Sequence, residues 1–306
     1  MNIRPDIQTA NKKGVLALIF LSFGFGMIAI TARYMSYFFT LFQQLYLSIG
    51  VAFILSLFIF PKTLNLKRIK AIPSKDWGIM LFRVIIGYLL GASLYRESLT
   101  LTKITNVTFI QSIPFAAVFG FILFKEKFTF KKLLLLLAAY VGVLLIAIRD
   151  YSSIFTLGKG ELFSLISSAL FSLSYVSRKW QTDFLNDKEI TQILLFVGTI
   201  ILFAASVLKG EGMPAINWQG VLLLSIFFTG FFNTINIYLI NYGFKNVKAV
   251  LASNILTLEY IFALILAFIF YRELPNLKEL FGGALIVGSV IQMNRLEEKS
   301  QKHQYI

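Results

Sequence analysis

Long apolar runs recur along almost the whole chain, and this recurrence constrains the fold more than any other feature of the sequence. A run of about 18 or more apolar residues is typical of a helix that crosses a membrane. The composition agrees, because 57% of the residues are hydrophobic and only 14% are charged. The sequence therefore predicts an all-α integral membrane protein. Ten transmembrane helices are predicted over residues 14–32, 40–60, 77–97, 103–124, 132–149, 161–179, 189–208, 218–242, 249–271 and 278–294.

The positions of the basic residues predict how these spans are oriented. Cytoplasmic loops of membrane proteins are enriched in Lys and Arg. Most basic residues lie before the first span, after the last span, or in connectors that follow even-numbered spans. We therefore expect both termini in the cytoplasm of a multi-pass protein in the cell membrane, whether an inner or a plasma membrane. The outer segments hold fewer basic residues, namely Arg33, Arg96, Lys103, Arg149, Lys159, Lys209, Arg272 and Lys278.

The net charge of +14 would also suit a protein that binds nucleic acid, but the charge distribution argues against that class. The charges are spread over short connectors between apolar runs, whereas nucleic-acid binding needs them gathered on one face or in an arm. The chain has no cysteine, so it can form neither a disulfide nor a thiolate metal site. We expect a lipid bilayer as its surroundings and no nucleic acid, cofactor or metal.

Two long stretches of the sequence resemble each other. The stretch NVTFIQSIPFAAVFGFILFKEKFTFKKLLLL, residues 106–136, aligns with SNILTLEYIFALILAFIFYRELPNLKELFGG, residues 253–283. In both, an apolar helix ends in a basic residue and a Glu, and a second apolar helix follows a short connector. The aligned acids, Glu126 and Glu273, are expected to form local charge pairs at the ends of spans.

The alignment divides the chain into two five-helix repeats, residues 14–149 and 160–294. Because five is an odd number, the two repeats must enter the membrane in opposite directions. Inverted repeats of this kind occur in many secondary transporters, which bind their substrate near the midplane between the halves.

These features resemble the drug/metabolite transporter superfamily, and specifically its EamA-like ten-helix members. The resemblance is carried by SIPFAAVFGFILFKEKFT, by the second copy that ends in FYREL, and by the layout of two times five helices. It covers essentially residues 14–294. It implies transport of small organic metabolites such as amino acids or amines, through a central cavity and without ATP. The two copies differ where Glu259-Tyr260-Ile261 replaces Ser112-Ile113-Pro114.

Glu259 is the most informative residue, because a carboxylate within an apolar span is costly and is by default a functional hypothesis. Helical spacing puts Ala263 and Ala267 on its side of the ninth span, and bulky residues on the opposite side. Small residues favour close helix contact, so Glu259 is predicted to point into the bundle. Its repeat mate Ser112 lies on a similar stripe of small and polar residues, comprising Thr105, Thr108, Ala116 and Gly120.

Glu259 could have a functional or a structural role. In a functional role, it would carry a proton or bind a cationic group of the substrate. The alternative is a structural role, in which Glu259 pairs with Arg83 or forms a hydrogen bond to the Asn-rich eighth span.

The eighth span is unusually polar, and its amides and hydroxyls need hydrogen-bond partners in a membrane. Thr229, Asn233 and Asn236 are predicted to share one face, whereas Thr234, Tyr238 and Tyr242 lie on another. We expect this span to line the cavity.

Three further residues are candidates for the cavity wall. Gln111 and Tyr95 are polar residues within or near the ends of apolar runs. Arg83 lies about 10 Å inside the third span. It could extend to the cytoplasmic surface, or it could bind an anion or a Glu in the transport pathway.

Pairs of small residues four positions apart recur in three spans and predict close helix packing, either within the chain or in a homodimer. They are Gly87 with Gly91, Ala138 with Gly142, and Ala284 with Gly288.

An enzyme is not expected. Catalysis usually needs His, Cys or paired carboxylates, yet the only histidine is His303 in the charged tail, and no zinc-protease or phosphate-binding motif is present. A channel and a non-transporting scaffold are the alternatives, ahead of a membrane enzyme.

The sequence thus predicts a secondary transporter, acting as an exporter of small organic metabolites by alternating access, with or without coupling to protons. The expected substrate-binding residues are Glu259, Asn233, Asn236, Tyr238, Ser112, Gln111, Tyr95, Tyr242 and Arg83.

Overall fold

The computed structural model describes residues 5–61, 63–111, 113, 115–124, 129–147, 158–214, 220–246, 255–256 and 258–302. Within these ranges the chain is built of helices and short loops and contains no strand. The helices are α1 (Pro5–Met35), α2 (Leu41–Ile59), α3 (Leu66–Lys70), α4 (Ser74–Arg83), α5 (Ala92–Leu101), α6 (Ile104–Gln111), α7 (Phe115–Phe124), α8 (Phe130–Ala147), α9 (Lys159–Val176), α10 (Asp187–Leu208), α11 (Gly220–Asn246), α12 (Leu258–Tyr271) and α13 (Leu277–Lys302).

Each of the ten predicted ranges overlaps one or more of these helices. Large apolar side chains cover the outside of the bundle, for example Phe20, Phe58 and Leu208, which suits lipid rather than water as the surrounding solvent. Apart from the five segments named next, which helices cross the membrane stays a prediction. Within the described residues, five helical segments are long and apolar enough to cross one, namely Lys13–Met35, Leu41–Ile59, Ser74–Leu101, Asp187–Leu208 and Gly220–Asn246.

The third predicted span is continuous, but its middle turns are wider than those of an α-helix. The segment Val84–Gly91 is a π-helix that joins α4 to α5. Such segments are rare and often occur at functional sites. Here the wider turns change the angular position of every residue that follows, which includes Tyr95 and Arg96.

The fourth predicted span is not one helix, as residues 103–124 suggested, but two, α6 and α7. Pro114 falls between them in the sequence. A proline removes a backbone donor and clashes with the preceding turn, so an uninterrupted helix is disfavoured at this point.

The packing of the helices follows the two predicted repeats. Helix α1 packs against α11 and α12, which belong to the eighth and ninth predicted spans. Helix α9, the repeat mate of α1, packs against α5 and the π-helical segment of the third span, and against α6 and α7 of the fourth. Exchanging the repeats therefore exchanges the partners. The second and seventh spans contact each other through α2 and α10, and the fifth and tenth through α8 and α13.

Close approach between the helices depends on the predicted small residues. A Cβ atom added to Gly142 would lie 2.5 Å from the backbone oxygen of Gly282, so the backbones of α8 and α13 are in close contact there. A side chain on Gly87 would lie 2.7 Å from Ser174 Oγ. These contacts are within the chain. Gly288 has no atom within 4 Å of its Cβ position, so it makes no such close contact with the described residues. Its role in a homodimer stays a prediction.

Candidate functional site

A cavity lies at the centre of the bundle, between helices of both repeats. It contains about 1300 Å³ of empty space, its mouth included. None of its lining residues is exposed to solvent to a large extent. Its walls come from α1, α2, the whole third span, the junction of α6 and α7, and α9 to α12. Helix interruptions of the kind seen between α6 and α7 are common at the binding sites of transporters.

Glu259 lies on this cavity wall, on α12. The predicted face of the helix is confirmed, because Ala263 and Ala267 are fully buried whereas Ile261 and Phe268 are about two-fifths exposed. Among the residues that the structure describes, no hydrogen bond or ion pair engages the carboxylate of Glu259. Both structural alternatives, pairing with Arg83 and a bond to the eighth span, are therefore wrong.

Two amides of α11 also line the cavity, as predicted for the eighth span. Asn233 Nδ2 donates to the backbone oxygen of Thr229 at 2.8 Å. With its amide oriented so that the oxygen faces a donor and the nitrogen an acceptor, Asn236 accepts from the backbone N–H of Phe25 at 3.2 Å and donates to the oxygen of Phe232 at 3.3 Å. Asn236 therefore ties α11 to α1, and Gly24 leaves the room for this contact because a side chain there would overlap the amide.

Arg83 is buried at the cavity wall with 3% of its surface exposed, so its side chain does not reach an exposed surface, as extension toward the cytoplasm required. Its guanidinium donates to the backbone oxygen of Ser174 at 3.1 Å. Two further donors reach Gln181 Oε1 and Asn241 Oδ1, each at 2.9 Å. Oxygens from three separate elements thus hold Arg83.

Gln111 and Tyr95 are on the cavity wall as well. Gln111 Nε2 donates to the backbone oxygen of Ser164 and to Ser167 Oγ, at 3.2 and 3.3 Å. Ser112 lies outside the described residues. Its stripe is in place, because Thr105, Thr108 and Ala116 are all buried.

Tyr238 and Tyr242 do not line the cavity. Their rings stack on each other, with centroids 6.2 Å apart, and Tyr238 also packs against Phe60, the residue that follows α2. The two tyrosines do share a helix face, as the spacing predicts, but on that face Tyr238 meets the end of α2.

A second guanidinium lines the cavity, and sequence reasoning missed it. Arg96, which was counted with the outer segments, is 5% exposed and lies on the wall beside Tyr95. It donates to Gln44 Oε1 at 3.1 Å and to Ser48 Oγ at 2.9 Å. A helix that runs on to Leu101 leaves Arg96 more than a turn inside its end.

One side of the cavity is aromatic. Phe171 and Tyr175 of α9 are stacked with centroids 5.9 Å apart, and Tyr175 stacks on Phe25 of α1 at 6.4 Å. Tyr95 meets the edge of Phe171, and Phe244 completes the wall. Spacing of three to four residues along α9 was the available signal for Phe171 and Tyr175. This wall could bind a flat or apolar part of a solute.

Polar contacts join the two repeats at both ends of the bundle. At one end, here named the Arg33 face, Arg33 Nη1 lies 2.6 Å from Glu273 Oε1, and Glu273 Oε2 accepts from the backbone N–H of Ile104 at 2.9 Å. Lys103 pairs with Glu279 at 3.0 Å. The predicted local pairing of Glu273 is wrong, because its partner lies in the other repeat. Glu126 is outside the described residues.

The opposite end is here named the Arg178 face, after the pair of Arg178 with Asp187 at 2.9 Å. Contacts between repeats are also present at this end. Arg68 Nε lies 3.2 Å from Glu189 Oε1, and Asp76 Oδ1 accepts from the backbone N–H of Thr182 at 2.9 Å.

Contacts at these faces show in which direction the helices run. Helix α1 ends at the Arg33 face, where α9 begins, since Glu161 in the first turn of α9 accepts a hydrogen bond from Thr102. Helix α12 ends at the same face, where α6 begins. Both pairs of repeat mates therefore run in opposite directions.

Comparison with known proteins decides the family. The model of the EamA-like transporter family matches residues 12–148 and again residues 158–295. The chain belongs to the EamA-like transporter family. One solved structure, described as "Crystal structure of protein", is similar to this EamA-like transporter with a TM-score of 0.65 and 15% identity, over 95% of this chain and 99% of that chain. Identity this low shows a shared fold alone. None of the curated proteins matches the chain significantly.

Family membership confirms the resemblance to the drug/metabolite transporter superfamily that the repeated motif indicated. The protein is a multi-pass membrane transporter with a two-repeat architecture. Members of the family are transporters rather than enzymes, and their context is a lipid membrane and a small solute.

Proposed function

We propose that this EamA-like transporter exports small organic metabolites, such as amino acids or amines, by alternating access. The observation that carries the proposal is Glu259, a carboxylate on the wall of a central cavity for which the described part of the chain supplies no hydrogen-bond or ion-pair partner. Intramembrane acids are costly, and they typically serve a substrate or ion pathway. A solute amine or a proton would supply the missing partner.

The proposed mechanism is a rocking motion of the two inverted repeats about the cavity. Contacts between the repeats at the Arg33 face and at the Arg178 face support it, because each set would have to open in turn while the other holds. Transport by inverted repeats commonly follows this scheme.

The proposed binding set combines charge, amides and aromatic surface. Glu259 would bind the cationic group or a proton, and Asn233, Asn236 and Gln111 would bind polar groups. Tyr95 would provide a hydroxyl, and Arg83 would orient the α9 and α11 walls through its three acceptors. Ser112 stays in the set as the repeat mate of Glu259.

Proton coupling is proposed through Glu259 alone. Tyr95 and Tyr175 line the same cavity as this carboxylate. Arg83 and Arg96 are the basic residues on the cavity wall. If Glu259 took up a proton in one half of the cycle and a solute amine in the other, the two would exchange across the membrane.

The test is transport by the purified full-length chain in proteoliposomes. Amino acids and amines are loaded as a mixture, and efflux is followed by mass spectrometry with and without a proton gradient. We expect Glu259→Gln to lower the gradient-driven efflux at least tenfold and to flatten its dependence on pH. Glu97→Gln is the matched control, because Glu97 lies outside the cavity lining and should keep wild-type efflux.

Several outcomes would contradict the proposal. Full efflux with unchanged pH dependence in Glu259→Gln would exclude the proposed role of this residue. Currents far above carrier rates would identify a channel, a chemically altered solute would identify an enzyme, and no flux of any compound would favour a scaffold.

A further inference from the structure

Arg96 is one of two buried guanidiniums on the cavity wall, the other being that of Arg83. It faces the cavity from α5, where Ala92 and Tyr95 also reach the wall at helical spacing. A guanidinium has five N–H donors. Two of the hydrogen bonds of Arg96 go to Gln44 and Ser48, which are one turn apart on α2. Both acceptors are neutral.

The two acceptors are themselves fixed in position. Gln44 Nε2 donates to the backbone oxygen of Phe39 at 3.0 Å, and Ser48 Oγ donates to the backbone oxygen of Gln44 at 2.6 Å. One edge of the Arg96 guanidinium is therefore held against α2 by side chains that cannot move freely. This preorganises the group toward the cavity side.

In the part of the chain that the structure describes, no acidic side chain pairs with the charge of Arg96. Buried charges are normally paired, because an isolated buried ion is costly. Arg83 is held by three oxygen acceptors, which are also neutral. Arg96 has only its two neutral acceptors, and no acidic side chain in the described ranges forms an ion pair with it.

Glu259 is the acid on the same cavity wall, yet it and Arg96 do not bond to each other. Both line the same cavity, together with Tyr95. The cavity thus presents a cation and an anion, and no ion pair between them neutralises either charge.

We infer that Arg96 is the anion-binding residue of this transporter and that it selects solutes bearing a carboxylate. The planar guanidinium suits a carboxylate because two parallel hydrogen bonds can form. This inference rests on the proposed function, in which Glu259 takes the amine of the same solute. Arg96 and Glu259 together then discriminate against amines that lack an acidic group.

The test uses matched pairs of solutes in proteoliposome exchange. Each pair is an amino acid and the amine formed by removing its carboxylate: phenylalanine with phenethylamine, leucine with isopentylamine, and tryptophan with tryptamine. For the wild-type chain we expect at least one amino acid to exchange tenfold faster than its amine. Arg96→Gln should abolish this preference, whereas Arg96→Lys, which keeps the charge without the fork geometry, should retain part of it.

A second variant covers the case in which Arg96→Gln fails to fold. Gln44→Glu puts a carboxylate against Arg96 at nearly unchanged side-chain length. An internal ion pair would then compete with the solute, and we expect amino-acid exchange to fall about tenfold. Melting temperature and size-exclusion profile identify the folded variants.

The outcomes separate the two proposals. Exchange of the amines alone by the wild-type chain would contradict the role of Arg96 and leave the transport proposal standing. Unchanged amino-acid exchange in folded Arg96→Gln would also overturn it. If no member of any pair exchanged, the proposed function itself would be contradicted, and this inference with it.

Discussion

Single side chains in the cavity fall into two groups, those that hold the bundle together and those with unused bonding capacity. Arg83 belongs to the first group, since its hydrogen bonds join the third span to α9, to the loop after it and to α11. Glu259 belongs to the second group. A buried ionic group that the protein does not satisfy is a cost to stability, and a binding site is the natural reason to keep it.

Gly24 offers a prediction at the same scale. Gly24→Ala would push the Asn236 amide out of its contacts with Phe25 and Phe232, because a Cβ at position 24 would overlap that amide. We expect the variant to lose about 1–3 kcal/mol of stability, as for other overpacked sites, and to lose transport as the cavity wall shifts. Thermal melting of the purified protein measures the first effect and proteoliposome efflux the second.

Gly78→Ala is the matched control for Gly24→Ala. Gly78 also lies in a helix, but nothing is within 4 Å of its Cβ position. Alanine is a better helix former than glycine by about 1 kcal/mol, so this variant should melt at or above the wild-type temperature. Equal melting of both variants would show that Asn236 tolerates the added methyl group.

The sequence predicts residue roles well where one face of a helix decides them. Glu259 and the neighbouring alanines follow the 3.6-residue period, and the structure agrees. Arg96 could not be found in this way, because the wider turns of Val84–Gly91 and the extension of α5 to Leu101 set its depth and direction. Neither feature leaves a signal in the apolar pattern.

At the scale of helices, the structure is controlled by contacts at the two ends of the bundle. Glu273, in the short connector after α12, binds Arg33 at the end of α1 and the first backbone N–H of α6. One carboxylate thus joins three helices at the Arg33 face. Sequence reasoning saw only the adjacent Arg272, because the true partner is distant in the chain.

The contact of Glu273 predicts which end of the cavity opens when it is removed. The chain has no cysteine, so a single Ala92→Cys reports access to the cavity wall. Adding Glu273→Gln weakens the charge attraction to Arg33, and we expect a membrane-impermeant maleimide to react several times faster from the Arg33 face. Right-side-out and inverted membrane vesicles distinguish the two faces.

The matched variant for this experiment is Glu189→Gln, which weakens the contact with Arg68 at the Arg178 face. Glu189 Oε2 accepts from the backbone N–H of Asn186 at 2.8 Å, as part of the capping box at the start of α10. Gln keeps this acceptor, so α10 should be preserved. We expect faster labelling from the Arg178 face only. Unchanged labelling in Glu273→Gln would mean that this contact does not hold the Arg33 face closed.

For the molecule as a whole, the arrangement of repeats was readable from the sequence because the length and spacing of apolar runs repeat along it. The exchange of packing partners between α1 and α9 follows from that repetition. The cavity was expected between the halves, and it is lined from both. What could not be read was its aromatic wall, since Phe171 and Tyr175 resemble any other apolar residues of a membrane helix.

The orientation of the whole chain is predicted from its basic residues and can be tested with single cysteines. Lys13 and Lys209 are both exposed, near the start of α1 and just after α10. In intact cells an impermeant maleimide should label Lys209→Cys and should label Lys13→Cys only after the membrane is permeabilised. The reverse pattern would place the N-terminus outside.

The carboxylate of Glu259 has no acidic counterpart in the other repeat, where the sequence has Ser112. If the repeats were identical, the states open to either side of the membrane would have the same free energy, and an empty transporter would spend equal time in each. An acid in one half only removes that equality, because its solvation differs between the two states. We therefore expect the empty transporter to favour one of the two states before any gradient is applied. Transport would then be faster in one direction than in the other, and the favoured direction would depend on the protonation of Glu259.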